Sequence, residues 1–178
     1  MFAIMKRELL SYFTSPLGYV FIAVFYLFSG IFLFLFTLTS QSADMSYVYT
    51  GMFFVMLIMI PILTMRLMAE ENKQKTDQLL LTSPVSLPRL VMGKFLSAFS
   101  ILLICMLIFL VYGIVLSCFA SVNWAVILGN IVGMLLLGAL CVSAGLFVST
   151  LTENQMIAAV GSIGLNIAFI LVDSFASV

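Results

Sequence analysis

The sequence predicts an all-α fold, a polytopic bundle of transmembrane helices, and three observations indicate it. Of the 178 residues, 64% are hydrophobic and only 8% are charged, whereas soluble chains carry about 25% charged residues. The apolar residues form blocks long enough to cross a bilayer, which takes about 20 helical residues. All seven Lys and Arg residues lie in two short stretches. Because the chain has no histidine, chemistry that needs an imidazole is excluded.

Residues 1–16 are amphipathic, with Lys6, Arg7 and Glu8 among apolar side chains and Pro16 at the end. This pattern predicts a short helix that lies in the headgroup layer of the membrane. The alternative is a signal peptide. The apolar block that follows is too long for one, and no small-residue cleavage site comes after it.

Five apolar blocks follow, and we predict that each one crosses the membrane within a single transmembrane domain, 1–178. The blocks are residues 17–39, 49–68, 95–119, 124–151 and 156–175. Pro61 lies inside the second block, where it removes a backbone hydrogen bond and predicts a kink. The cysteines lie in apolar runs without metal-ligand spacing, so we interpret them as packing residues and predict no metal site. The cysteines are Cys105, Cys118 and Cys141.

The basic residues predict the orientation, because cytoplasmic loops are enriched in Lys and Arg. Two basic residues precede the first block, and five lie between Arg66 and Lys94, whereas the links 40–48 and 119–123 have none. Both basic stretches lie on the same side when the blocks are counted. The N-terminus and the segment 69–94 are therefore predicted to be cytoplasmic. Five crossings place the C-terminus outside, and this odd count leads us to expect a fragment or a truncated form.

The segment 69–94, between the second and third blocks, holds seven of the chain's fourteen charged residues. Its first part, continuing from Arg66 to Leu81, contains strong helix formers, and "TSPVSLP" (82–88) then breaks the helix. An ordinary solvated connector that fixes topology is one interpretation. The other is a docking helix, in which charged flanks steer a soluble partner and a leucine tip fills its groove. Since no G-x-x-x-x-G-K-[ST] loop is present, ATP-driven work would need a separate subunit.

The segment "MAEENKQKTDQLLLTSPVSLPRLVMGK" (68–94) resembles the stretch between the second and third spans of ABC-2-type ABC transporter permeases. "KRELLSYFTSPLGYVFIAVFYLFSGIF" (6–32) and "STLTENQMIAAV" (149–160) are similar to the same family, in the branch of gliding-motility-type export permeases. The resemblance implies a type V exporter-like bundle of six spans, of which five are present here. It also implies location in the plasma (inner) membrane of a prokaryote.

The resemblance further implies which partners the chain has and where they bind. Two copies, or one copy and a sibling permease, would pair with two ABC ATPase subunits, and the chain itself would be no enzyme and need no cofactor. Membrane lipid is an implied partner and nucleic acid is not. The residues that match the family's acidic pair and coupling segment are Glu70, Glu71, Thr76, Asp77, Leu79, Leu80, Thr82, Ser83 and Pro84. Gly93 and Lys94 match the start of the third span. Lys75 departs from the family pattern, in which glycine often precedes the threonine.

Four polar residues outside this segment are further candidates. Glu153 and Asn154 could form a second contact to the ATPase, or simply a surface turn. Asn166 and Asp173, in the fifth block, are candidate pathway residues because polar groups at membrane depth often mark a substrate path. Asp173 lies close enough to the boundary to be merely solvated. Spans two and five are the candidate pathway helices.

Small residues repeat four apart on the last two blocks, a spacing that lets helix backbones approach closely in lipid. The pairs are Gly129 with Gly133, Gly145 with Ser149, Ala158 with Ser162, and Gly164 with Ala168. The sequence leaves open whether they pack within one chain or between two. A membrane scaffold that recruits a partner without ATP coupling is the alternative function. A secondary transporter is disfavoured, since it would need paired intramembrane charges.

Overall fold

The computed structural model describes the backbone of residues 2–39, 44–74 and 87–176, and the side chains of residues 5–39, 44–69 and 88–172. Every regular element in these ranges is helical. The helices are α1 (Phe2–Thr14), α2 (Pro16–Phe32), α3 (Ser46–Gln74), α4 (Leu87–Ser117), α5 (Trp124–Leu151) and α6 (Gln155–Ala176). A π-helical segment, Leu33–Leu38, extends α2.

The predicted fold class, an all-α membrane bundle with five apolar helices, is confirmed. Five helices in the described part of the chain are long and apolar enough to cross a membrane. Their apolar portions are Pro16–Leu38, Ser46–Ala69, Pro88–Ser117, Trp124–Leu151 and Gln155–Val172. The helix that contains the predicted third span begins at Leu87. Arg89 and Lys94, which precede that span in sequence, therefore lie on the helix.

Short polar side chains start three of the helices. The carboxylate of Asp44 accepts hydrogen bonds from the backbone N–H (2.9 Å) and the hydroxyl of Ser46, which hold the pKa of the Asp44 carboxyl below its usual value. The amide oxygen of Asn123 accepts from the N–H of Ala125 (3.1 Å). Asn154 does the same for Met156 (3.0 Å) at the start of α6. These bonds satisfy N–H groups that have no partner inside the helix.

Helix α3 lies at the centre of the bundle. Half of its most apolar 18-residue stretch is buried, whereas only 22% of the corresponding stretches of α2 and α6 is buried. It packs mainly against α5 and α6, and also against α2. Its fully buried side chains at Val48, Met52 and Ile60 belong to one continuous core. Phe54 and Ile58 are more than half exposed on its other side, and a membrane span is apolar on its outward face as well as on its packed face.

We call the end of the bundle that carries α1 the α1 end. It comprises α1, the last described turns of α3 before Gln74, the first turns of α4 after Leu87, and the α5–α6 turn at 152–154. Helix α1 packs across α4 and makes a smaller contact with α2. The opposite end carries the starts of α3 and α5, with Asp44 and Asn123 beside a common pocket.

The small-residue pairs divide into two groups. Gly145 and Ser149 face α3, and a Cβ placed on Gly145 would lie 2.2 Å from the Thr64 hydroxyl oxygen. Ala158 and Ser162 are buried as well. A Cβ on Gly129, Gly133 or Gly164 would meet nothing within 4 Å. The pairs Gly145 with Ser149 and Ala158 with Ser162 therefore pack within the chain, whereas the three glycines without neighbours face outward.

Replacement of Gly145 by alanine should destabilise the bundle. The new methyl group would overlap Thr64, which lies across the α3–α5 interface, and such overpacking costs about 1–3 kcal/mol. The free energy of unfolding in mixed micelles measures the effect. Gly133→Ala on the same helix is the matched control: its methyl group meets nothing within 4 Å, so it should leave the stability unchanged or raise it by up to about 1 kcal/mol through the helix propensity of alanine. Equal effects of the two variants would contradict the close α3–α5 packing.

Candidate functional site

The backbone of α3 at the α1 end accepts hydrogen bonds from side chains of two other helices. The Tyr12 hydroxyl, on α1, donates to the carbonyl of Leu63 at 2.9 Å. The Lys94 ammonium, on α4, donates to the carbonyl of Leu67. Both donors are buried, with exposed fractions of 6% and 1%. Such bonds are directional, so they fix the position of α3 along its axis relative to α1 and α4.

A third helix contacts the same part of α3 through Ser149 on α5. Its hydroxyl oxygen accepts from the N–H groups of Met68 (3.1 Å) and Ala69 (3.0 Å), and its hydroxyl donates to the carbonyl of Met65 (3.3 Å). Ser149 has no exposed surface. The close approach that these bonds need is provided by Gly145, one turn earlier on α5.

A fourth helix contacts α3 where Pro61 interrupts its hydrogen-bond ladder. Proline has no N–H, so the carbonyl of Leu57, four residues earlier, has no donor within the helix. The side-chain amide of Asn166, on α6, donates to that carbonyl at 3.3 Å. In hydrocarbon an unsatisfied carbonyl costs several kcal/mol, so the contact compensates for the proline. The Asn166 amide oxygen is buried and has no hydrogen-bond partner in the described part of the chain.

The Lys94 charge is balanced by Glu8. The Lys94 ammonium lies 3.8 Å from the Glu8 carboxylate, whose other neighbour is the Arg7 guanidinium at 3.1 Å. Lys94 is 1% exposed at its side chain and Glu8 14%. A buried cation needs such a partner, because removing it from water without one is very costly. The pair therefore ties α1 to α4.

The predicted coupling residues lie beyond this junction. Helix α3 continues without interruption from its apolar part to Gln74, and its backbone carries Glu70 and Glu71 on the last turns. Their side chains lie outside the described residues. So do all atoms of the rest of the predicted coupling set, namely Thr76, Asp77, Leu79, Leu80, Thr82, Ser83 and Pro84.

The remaining candidates differ in their surroundings. Glu153 is exposed in the α5–α6 turn, and Asn154 uses its side chain to cap α6. Asn166 faces α3 inside the chain, and the side chain of Asp173 lies outside the described residues. Among the residues that the structure describes, no group of three or more Cys, Asp or Glu side chains could hold a metal ion.

Sequence reasoning missed the contacts on the α3 backbone. Tyr12 and Ser149 carry no signal of a backbone contact in the sequence, and Lys94 reads as one more basic residue of a loop. A signal did exist for Asn166, because a proline inside one predicted span leaves a carbonyl that a lone amide in another span can serve.

The fold and this site define a class of protein: a multi-pass membrane bundle whose polar contacts converge on the helix that leads into a charged segment. The family model described as "ABC-2 family transporter protein" matches residues 15–173. The chain belongs to this family and is a permease component of an ABC transporter, a family whose members work with an ABC ATPase subunit. No curated protein and no solved structure matches the chain.

Replacement of Lys94 by methionine should loosen α1. The variant keeps the length of the side chain but loses the ion pair and the bond to Leu67. The Glu8 carboxylate is partly exposed and keeps Arg7 as a neighbour, so loss of the pair should cost α1 about 1 kcal/mol, which corresponds to roughly fivefold faster amide exchange there. Amide exchange measured by mass spectrometry tests this. The control is Lys6→Met, because Lys6 is an exposed lysine on α1 itself. Unchanged exchange in α1 would show that the pair does not hold it.

A double-mutant cycle tests the contact between Asn166 and the Pro61 interruption. In a Pro61→Ala background the restored N–H can serve the Leu57 carbonyl, so Asn166→Leu should cost less there than in the native chain. The expected coupling is about 0.6 kcal/mol, the average for interhelical hydrogen bonds in membranes. Asn130, which donates to Val126 of its own helix at 3.0 Å, is the matched control and should show no coupling. A cycle without coupling at Asn166 would reject the compensation.

Proposed function

We propose that this permease couples ATP hydrolysis on a separate ABC ATPase to substrate export, with the segment 69–94 as the cytoplasmic contact. The observation that carries the proposal is the set of bonds on the α3 backbone. Tyr12, Lys94, Ser149 and Asn166 come from four different helices and all bond to one helix. That helix continues to Gln74, which lies inside the predicted coupling segment 69–94. A displacement of this end therefore acts on the whole bundle.

In the proposed cycle, closure of the ATPases moves α3 as a lever. Glu70 and Glu71 lie on the rigid part of the lever, and the coupling residues after Gln74 contact the ATPase, with Leu79 and Leu80 filling an apolar groove. The Pro61 interruption lets α3 bend near Leu57, while Asn166 donates to the Leu57 carbonyl, which has no donor within the helix. The spans then alternate between inward and outward access, since neighbouring helices follow α3.

The proposal includes an orientation and an assembly. The basic residues place the N-terminus and the α1 end in the cytoplasm, in the inner membrane of a prokaryote. Two copies, or this chain and a sibling, assemble with two ATPase subunits. Asn166 and Asp173 stay candidates for the pathway. Glu153 and Asn154 stay candidates for a second ATPase contact, although capping of α6 already occupies the Asn154 side chain.

Co-purification tests the coupling segment. Leu79→Asp and Leu80→Asp together should abolish recovery of the ATPase with the permease in mild detergent, because two charges cannot enter an apolar groove unpaired. Leu10→Asp is the control, since Leu10 lies on α1 and is 53% exposed. It should leave recovery unchanged.

Two results would contradict the proposal. The first is an unaffected complex in the double variant. The second is a complex that forms normally but whose ATPase rate and transport do not respond to the permease, which would favour a membrane scaffold over a transporter.

A further inference from the structure

An apolar groove runs along the membrane-facing side of the bundle between α4 and α5, at the α1 end. It encloses about 400 Å³. Met92 and Phe95 line it on α4, and Leu146 and Phe147 line it on α5. Met92 is 47% exposed and Phe147 is 61% exposed. The groove is therefore open to whatever surrounds the bundle at this depth.

The polar atoms in the groove wall have their donors satisfied within α5. The Ser143 hydroxyl donates to the Leu140 carbonyl at 2.7 Å, and the Thr150 hydroxyl donates to the Phe147 carbonyl at 2.6 Å. The wall thus offers apolar surface along its whole length. A hydrocarbon chain fits this chemistry, whereas a polar substrate would lose its hydration without compensation.

Two opposite charges lie level with the end of the groove, although neither side chain is part of its lining. Leu102 contacts Gly138 across the α4–α5 interface, and Gly113 contacts Ile127 in the same antiparallel register. Arg89 is thirteen residues before Leu102, and residue 151 is thirteen residues after Gly138. Arg89 is therefore level with the end of α5, and Glu153 comes two residues after that end.

Neither of these two charges is neutralised by a described neighbour. Arg89 and Glu153 are both exposed. Within the described ranges, neither forms an ion pair, with the other or with a third residue. Arg89 is one turn before Met92 on α4, so along the helix axis it lies one turn beyond that part of the apolar wall. The groove is thus apolar, and one exposed cation and one exposed anion lie level with its end.

We propose that this groove binds a phospholipid with an amine-bearing headgroup from the leaflet at the α1 end. Its acyl chain lies along Met92, Phe95 and Phe147, its phosphate contacts the Arg89 guanidinium, and its ammonium contacts the Glu153 carboxylate. Basic sites between transmembrane helices bind lipid headgroups in this way, and the added carboxylate selects for the amine. The site does not depend on the ATPase, so it can be separated from the second ATPase contact predicted at Glu153.

Photolabelling of the full-length chain tests the site. The chain is reconstituted in nanodiscs that contain phosphatidylethanolamine with a diazirine on the acyl chain, and labelled peptides are identified by mass spectrometry. Labelling should fall on 92–95 and 146–147. Phosphatidylglycerol, which lacks the amine, and phosphatidylcholine, whose amine cannot donate a hydrogen bond, should label these peptides less.

Charge and groove variants identify the contacts. Arg89→Gln and Glu153→Gln should each weaken phosphatidylethanolamine labelling about fivefold, the effect of one interfacial charge. Phosphatidylglycerol labelling should fall only with Arg89→Gln. Ser143→Trp, which fills the groove, should abolish labelling, and Leu136→Trp, at a position that is 68% exposed on the same helix, should leave it unchanged.

Two outcomes would overturn the proposal. One is labelling that is equal for the three headgroups and unaffected by Arg89→Gln and Glu153→Gln. The other uses the photoreactive residue benzoylphenylalanine at position 147. The proposal is overturned if this residue crosslinks to a second copy of the chain and not to lipid. The second outcome would make the groove an interface between protomers.

Discussion

The structure depends on one constraint, the need to satisfy every backbone polar group of a helix that is surrounded by hydrocarbon. Helix α3 violates it locally because Pro61 leaves the Leu57 carbonyl without a donor. The neighbouring helices respond with side chains, and Asn166 serves that carbonyl. An apolar interface alone would let two helices slide, since its contacts have no direction. A bond to a named carbonyl has one position of lowest energy.

These bonds are concentrated at the α1 end. Tyr12, Lys94 and Ser149 all contact α3 between Leu63 and Ala69. Near the opposite end α3 is held by apolar packing, and the buried Tyr49 hydroxyl has no hydrogen-bond partner in the described part of the chain. A force applied at the α1 end therefore meets fixed contacts first. The Pro61 interruption lies between the part of α3 that carries these bonds and the part that carries Tyr49. The part with Tyr49 can therefore move by a different amount.

Hydropathy was sufficient to predict the fold, because lipid allows few alternatives to apolar helices. The five apolar blocks became five helices. The site was less predictable, since its contacts join residues far apart in the chain: Asn166 and Leu57 are 109 residues apart. Lys94 shows the difficulty best. A lysine before an apolar block suggests a solvated loop, but here Glu8 compensates for its burial, and nothing near Lys94 in the sequence announces that partner.

The position of Lys94 bears on how the segment 69–94 is held at its two ends. On one side, Ser149 binds the last apolar turn of α3. On the other, Lys94 binds the first turns of α4 both to α1, through Glu8, and to the Leu67 carbonyl of α3. Both helices that flank the segment are thus joined to each other and to the rest of the bundle. A load on the segment cannot separate α3 from α4 without breaking the buried bond from Lys94 to the Leu67 carbonyl, and the ion pair with Glu8 makes α1 move with α4.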